Sequence, residues 1–266
     1  MSQASNSEVS GAATSLDGFL GGRFHALQPR TGHRAGSDTV FLAAAAIQDA
    51  AGGNGGEGLR ILDAGAGAGV AGLCLLSRFP SLQVTAVETD PALCALARQN
   101  GERNGFSERY GVIEADVTAP GKRLAETGLA RESFSHVIAN PPYYRAGSVR
   151  SAPEAEKAHV MAEGGLAAWV RFLTAMAAAR AALTIIHRPE VLPELLQLLQ
   201  PRFGALRVFP LFAKPGAPAS RILVRGIKGR RGGLELLPGL VLHDGKGGYT
   251  PPAEAVLRAG APLFIS

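Results

Sequence analysis

Leu59-Arg60-Ile61-Leu62-Asp63-Ala64-Gly65-Ala66-Gly67-Ala68-Gly69-Val70 is an apolar run, a glycine-punctuated turn and the start of an apolar helix. Residues 59–64 read as a short strand and residues 70–78 as a helix. A strand that turns through glycines into a helix opens a βαβ unit, where the backbone can pass close to a ligand at the helix N-terminus. Gly65, Gly67 and Gly69 follow a Gly-x-Gly-x-Gly spacing, whereas dinucleotide-binding turns use Gly-x-Gly-x-x-Gly. Asp63 precedes them. A carboxylate at that point would repel a pyrophosphate and attract a cationic ligand, directly or through water.

Outward from this stretch the alternation continues. Strands are expected at residues 84–88, 111–116, 134–139 and 183–187. Helices are expected at 91–104, near Leu124, and at 166–181 and 192–199. Each parallel crossover needs a covering helix, so the pattern predicts an α/β fold with a doubly wound, mostly parallel sheet. Residues 206–212 and 221–227, joined by a Pro/Gly loop at 214–219, read as an antiparallel hairpin at the sheet edge, with a last strand at 234–242. Upstream, residues 1–15 are small and polar and read as a disordered tail without signal-peptide character. Residues 19–29 read as an exposed hairpin or loop, and Ser37 or Asp38 as the N-cap of a helix over 39–47. The glycine-rich stretch 52–58 is a linker. The expected organisation is therefore a tail (1–15), an N-terminal extension (16–58) and a main domain (59–266).

No apolar run is long enough to span a membrane. Cys74 and Cys94 lie in apolar helical contexts, as buried free thiols of a reducing, cytoplasmic protein would. The six histidines show no ligand spacing, and no metal is expected. Net charge is +5, but residues 195–234 contain no acid while holding Arg202, Arg207, Lys214, Arg221, Arg225, Lys228, Arg230 and Arg231. Such a block marks either contact with a phosphate-rich partner or a solvated basic face.

The strand at 134–139 ends in Asn140-Pro141-Pro142-Tyr143. The prolines carry no N–H, so this turn presents carbonyl oxygens and few donors. Asn140 adds an amide oxygen and Tyr143 a flat aromatic face, which together suit a planar group bearing an amine. Glu88 closes the second strand of the unit, where a carboxylate can take both hydroxyls of a ribose. Asp116 closes the third, where it could accept from an exocyclic amine.

Asp-x-Gly-x-Gly-x-Gly, the two strand-end acids and Asn-Pro-Pro-Tyr together resemble the class I S-adenosylmethionine-dependent methyltransferases that act on planar amino groups. Gly36-Ser37-Asp38-Thr39 and Tyr249-Thr250-Pro251 resemble, more narrowly, the bacterial tRNA(Val) adenine-N6 methyltransferase family, which modifies the adenosine 3′ of the anticodon. The resemblance implies a Rossmann-like, seven-stranded sheet and S-adenosylmethionine held by Asp38, Asp63, Gly65, Gly67, Gly69, Glu88, Asp116 and Asn140. It also implies a tRNA partner, with no obligate protein partner evident. Asn140 and the Pro141 carbonyl would accept the two N–H bonds of the target amine, and Tyr143 would stack on a base turned out of its helix. Residues 144–165, with Arg145, Arg150, Lys157 and His159, are expected either to form a mobile loop gripping the nucleic-acid backbone or to be a surface insertion.

Asn-Pro-Pro-Tyr also serves methylation of adenine in DNA or rRNA and of a glutamine amide in release factors. The short, Gly/Ala-rich segment before the first core strand disfavours the release-factor reading, and the short C-terminal segment leaves little room for a DNA target-recognition domain. A nicotinamide-dependent oxidoreductase would use the other glycine spacing, and a non-catalytic RNA-binding module would not need the strand-end acids.

Overall fold

Apolar strands alternating with helices can bury both faces of a parallel sheet only if helices cover each side, and the chain does this. The computed structural model describes residues 13–32, 34–47, 58–119, 121–142 and 165–265. In chain order they form β1 (Thr14–Phe19), β2 (Phe24–Pro29), α1 (Ser37–Ala46), β3 (Arg60–Ala64), α2 (Val70–Arg78), β4 (Gln83–Glu88), α3 (Pro91–Arg103) and β5 (Tyr110–Glu114). There follow α4 (Gly121–Ala125), β6 (Phe134–Ala139), α5 (Gly165–Met176), β7 (Ala177–His187), α6 (Leu192–Leu199), β8 (Phe203–Phe212), β9 (Ala219–Lys228), β10 (Glu235–Leu236), β11 (Leu240–Val241) and α7 (Pro251–Leu257).

The main sheet runs β10-β8-β9-β7-β6-β3-β4-β5, with β11 also on β8. β3 to β7 are parallel, while β9 is antiparallel to both β7 and β8. The seven long strands match the expected sheet. Its additional members are the two-residue strands β10 and β11, which replace the expected continuous strand at 234–242. Pro238 and Gly239 (φ +82°) interrupt that run. The chain leaves β3 towards β4 and β5, then crosses back to β6 on the other side of β3. The β3/β6 gap is therefore the switch point where open α/β sheets bind ligands.

Side-chain alternation divides β3 between two cores. Ile61 joins Phe41, Leu42, Leu73 and Ile138 under α1 and α2, and Leu62 joins Val137, Phe172, Leu173 and Leu183 under α5 and α6. The N-terminal segment is part of the first core. Leu20, Phe24 and Ala26 are buried, which corrects the expectation of an exposed hairpin, and β1 takes in Thr14 and Ser15 from the expected tail. The alternating burial of β2, with Phe24 and Ala26 inward and His25 outward, is the reason. The N-cap of α1 is Gly36, with no side-chain cap from Ser37 or Asp38.

The helix expected over 166–181 stops at Met176. Ala177 instead pairs with Phe134, and β7 proceeds through a bulge with Arg180 at φ +66°. Alanine favours helix, but here the sheet contacts override propensity. Lys228 fixes the stop, because its ammonium donates to the Thr174 and Ala177 carbonyls at 2.9 and 2.7 Å and so satisfies carbonyls the helix leaves over. No helix among the described residues is long and apolar enough to cross a membrane. Cys74 and Cys94 are free and buried.

Candidate functional site

Strand register assembles the site. Ala64 of β3 pairs with Val87 of β4 on one side and Ala139 of β6 on the other, while Glu88 pairs with Glu114 and Ala139 with Ile185. The residues that follow, Gly65, Glu88, Ala115 and Asn140, therefore emerge side by side along one edge of the sheet. Neighbouring strands stand about 4.8 Å apart.

Gly65, Gly67 and Gly69 have φ of +65°, +57° and +86°, so the turn demands residues without a Cβ. A side chain at Gly65 would run into the Trp169 indole of α5, whereas Gly67 faces open space. That open space is where a ligand can approach the backbone. The turn is tied down: the Gly65 and Ala66 amides donate to the Val87 carbonyl at 2.8 and 3.0 Å, and the Gly67 amide donates to Glu88 Oε2 at 2.8 Å. The other Glu88 oxygen accepts from the Thr89 and Asp90 amides at 2.8 and 3.0 Å. Glu88 is thus a fixed carboxylate whose orientation is set before any ligand arrives.

Asp63 is buried, and its Oδ2 accepts from the Gly72 amide at 3.1 Å. Burial pushes its pKa up to about 7, the Gly72 hydrogen bond opposes this, and the Glu88 carboxylate adds to it. A buried carboxyl beneath a glycine turn, with no basic side chain against it among the described residues, suits a cationic ligand group.

The expected strand ending in Asp116 stops two residues earlier, at Glu114. Asp116 is exposed, and its Oδ1 accepts from the Thr118 amide and hydroxyl at 2.8 and 2.6 Å, so it builds a turn beside the site. Asp38 lies in the first turn of α1, where Arg221 at the start of β9 donates to its carboxylate at 2.5 Å. Asn140 is half-buried, Pro141 buried and Pro142 half-buried. Tyr143 and residues 144–164 of the loop expected over 144–165 lie outside the described residues, and Gly165 opens α5.

Three residues that support the site went unread in the sequence. Asn100 of α3 is fully buried; its Nδ2 donates to the Leu27 carbonyl at 3.0 Å and the Ala68 carbonyl at 2.9 Å, and its Oδ1 accepts from the Leu27 amide at 2.7 Å. It couples the N-terminal hairpin to the glycine turn. A polar residue in the apolar stripe of Cys94 and Ala97 was the available signal. Tyr110 of β5 fills the space that side chains at Gly69, Gly72 and Gly101 would occupy. Its ring sets how closely α2 and α3 approach the sheet. His187 ends β7 at the same edge; burial lowers its pKa to about 4, and its Nδ1 accepts from the Arg188 amide at 2.8 Å.

The basic block does not form one face. β9 runs antiparallel to β7, so Arg221 sits at the edge of the site, while Lys228, Arg230 and Arg231 lie at the opposite edge. Over nine residues of strand the separation is about 30 Å. No group of three or more His, Cys, Asp or Glu among the described residues is placed to hold a metal ion.

Residues 46–165 match the family model described as methyltransferase small domain. A Porphyromonas gingivalis protein named tRNA1(Val) (adenine(37)-N6)-methyltransferase is 32% identical over 124 residues, covering 47% of this chain and 46% of its own length. One of the same name from Shewanella amazonensis is 31% identical over 157 residues, covering 59% and 61%. The chain thus spans about half to three fifths of the length of these curated relatives. A solved structure from Agrobacterium tumefaciens, described as a predicted O-methyltransferase, is 31% identical with a TM-score of 0.70 and covers 85% of this chain and 98% of that one.

Proposed function

We propose, for a chain that belongs to the class I S-adenosylmethionine-dependent methyltransferases, that it methylates the N6 amine of an adenosine in tRNA. The observation that carries this reading is the register setting Asn140-Pro141 beside the glycine turn across the β3/β6 gap. Bound S-adenosylmethionine supplies an electrophilic methyl group on a sulfonium. The buried Asp63 would face its positive charge, the fixed carboxylate of Glu88 would take its ribose hydroxyls, and the turn at Asp116 would flank its adenine. Asp38, already paired with Arg221, would act by holding the start of α1 at this edge.

On the acceptor side, the lone pair of an aromatic amine is delocalised into the ring, which makes it a poor nucleophile. Two acceptors for its N–H bonds, the Asn140 amide oxygen and the Pro141 carbonyl, favour a more tetrahedral nitrogen. They also stabilise the positive charge that develops there. Tyr143 would hold the base by stacking, a positioning effect. The adenosine-in-tRNA reading is supported by the names of the relatives that share the Asn-Pro-Pro-Tyr segment's domain.

A second reading, transfer to oxygen, draws on the description of the Agrobacterium relative. The chemistry of Asn140-Pro141 favours nitrogen, since a hydroxyl offers a single O–H donor where the pair can accept two N–H bonds. Incubating the protein and methyl-labelled S-adenosylmethionine with separate tRNA, rRNA, DNA and protein pools distinguishes these readings. Label is expected in tRNA, on a base nitrogen. Label confined to protein, or on a ribose or other oxygen, would overturn the proposal.

A further inference from the structure

One surface at the site edge plays no part in the chemistry above. The β8–β9 hairpin tip and the loop between β11 and α7 lie side by side there, joined where the Leu242 amide donates to the Phe212 carbonyl at 2.8 Å and the His243 amide to the Ala213 carbonyl at 3.2 Å. The loop is stiffened from within. Asp244 Oδ1 accepts from the Lys246 and Gly248 amides at 2.8 and 3.2 Å, His243 and Tyr249 form an antiparallel bridge, and Thr250 Oγ1 donates to the Val241 carbonyl at 2.7 Å. This ordered loop displays an aromatic pair. The His243 and Tyr249 rings stack at 4.7 Å and 23°, and Tyr249 is 37% exposed. Lys246 on the loop and Lys214 on the hairpin tip are both exposed.

We propose that this surface, the His243/Tyr249 ring pair flanked by Lys214 and Lys246, docks the RNA nucleotides next to the target base. A ring with a free face stacks on any base, and a lysine beside it neutralises the adjoining phosphate; together they form a sequence-tolerant platform for unpaired nucleotides. Position supports the assignment. β11 pairs with the end of β8, and β8, β9, β7 and β6 are successive neighbours, so the loop that follows β11 stands four strand spacings, about 19 Å, from Asn140 along the same edge. Arg230 and Arg231, the densest part of the linear basic run, lie at the far edge and are not part of the platform. Tyr249-Thr250-Pro251 thereby divides its roles: Thr250 caps α7, with Pro251 in its first turn, and Tyr249 is presented outward.

The proposal rests on RNA being the substrate, and its test separates the two ideas. Dissociation constants for tRNA are measured across a salt series for the wild type, for Lys214→Gln/Lys246→Gln and for Arg230→Gln/Arg231→Gln, alongside S-adenosylmethionine affinity. The lysine pair is expected to weaken tRNA binding about tenfold and to lower the salt slope by about one per lysine, with cofactor affinity unchanged. The arginine pair is expected to match the wild type. Tyr249→Ala should raise KM for tRNA while leaving kcat near the wild-type value, and Tyr249→Phe should restore KM. Lysine and Tyr249→Ala variants that bind tRNA like the wild type, or an equal loss in the arginine pair, would overturn the platform while the substrate assignment stands. A wild-type protein that neither binds nor methylates RNA, but transfers methyl to protein, would overturn both.

Discussion

Asp63 carries a conflict of its own, a carboxyl buried near the end of β3. Its pKa rises from 3.8 to about 7, so the folded protein keeps a proton that the unfolded chain gives up. Its contribution to stability is therefore complete below about pH 4 and is lost as pH rises through 7, a change on the order of 4 kcal/mol before relaxation. His136 and His187 act in the opposite sense. Burial lowers them to about 3 and 4, so what they contribute is present above pH 6.5 and lost on acidification. Comparing Asp63→Asn with the wild type cancels the histidines. The variant's advantage in melting temperature, measured without cofactor, should grow from pH 4 to 7 and then level off. A difference that stays flat over that range would show Asp63 to be ionised throughout. At this scale the sequence was most legible where a residue type obeys a local rule. Gly65, Gly67 and Gly69 demand positive φ, and prolines after Asn140 remove donors; both could be read without a partner. Asp116 and Asp38 were harder, because Thr118 and Arg221, which engage their carboxylates, are chosen by the folded chain.

At the scale of elements, the βαβ opening, the C-terminal hairpin and the helix opened by Pro91 were legible because each follows a short-range pattern. The end of α5 was not. Residues 177–181 are mostly alanine and read as helix, yet Phe134 and Lys228, both distant in sequence, draw them into β7. Asn100 belongs to the same class. Its three hydrogen bonds join α3, the N-terminal hairpin and the glycine turn. Asn100→Ala would leave the Leu27 and Ala68 backbone groups unpaired, and each orphaned buried group costs about 1–3 kcal/mol. With three such groups, the variant should lose about 3 kcal/mol of stability or more. Amide exchange should quicken in β1 and β2 before it does in β4. Unchanged hairpin protection would contradict the strut role.

For the whole molecule, sheet order decides which distant residues become neighbours. Starting at β3 and crossing back to β6 brings Asn140 within one strand spacing of the glycine turn, although the sequence separates them widely. The same topology splits the basic run between two edges, a division invisible in a linear charge count because it depends on β9 running against β7. The central claim is that this juxtaposition methylates a base amine. It is tested most directly by digesting tRNA after reaction with wild type and with Asn140→Ala and quantifying N6-methyladenosine, with cofactor affinity measured in parallel. The wild type should form N6-methyladenosine, and the variant should lose the transfer rate by about 100-fold or more while binding S-adenosylmethionine almost as well. Wild-type rates in Asn140→Ala, or product methylated elsewhere than N6, would contradict it.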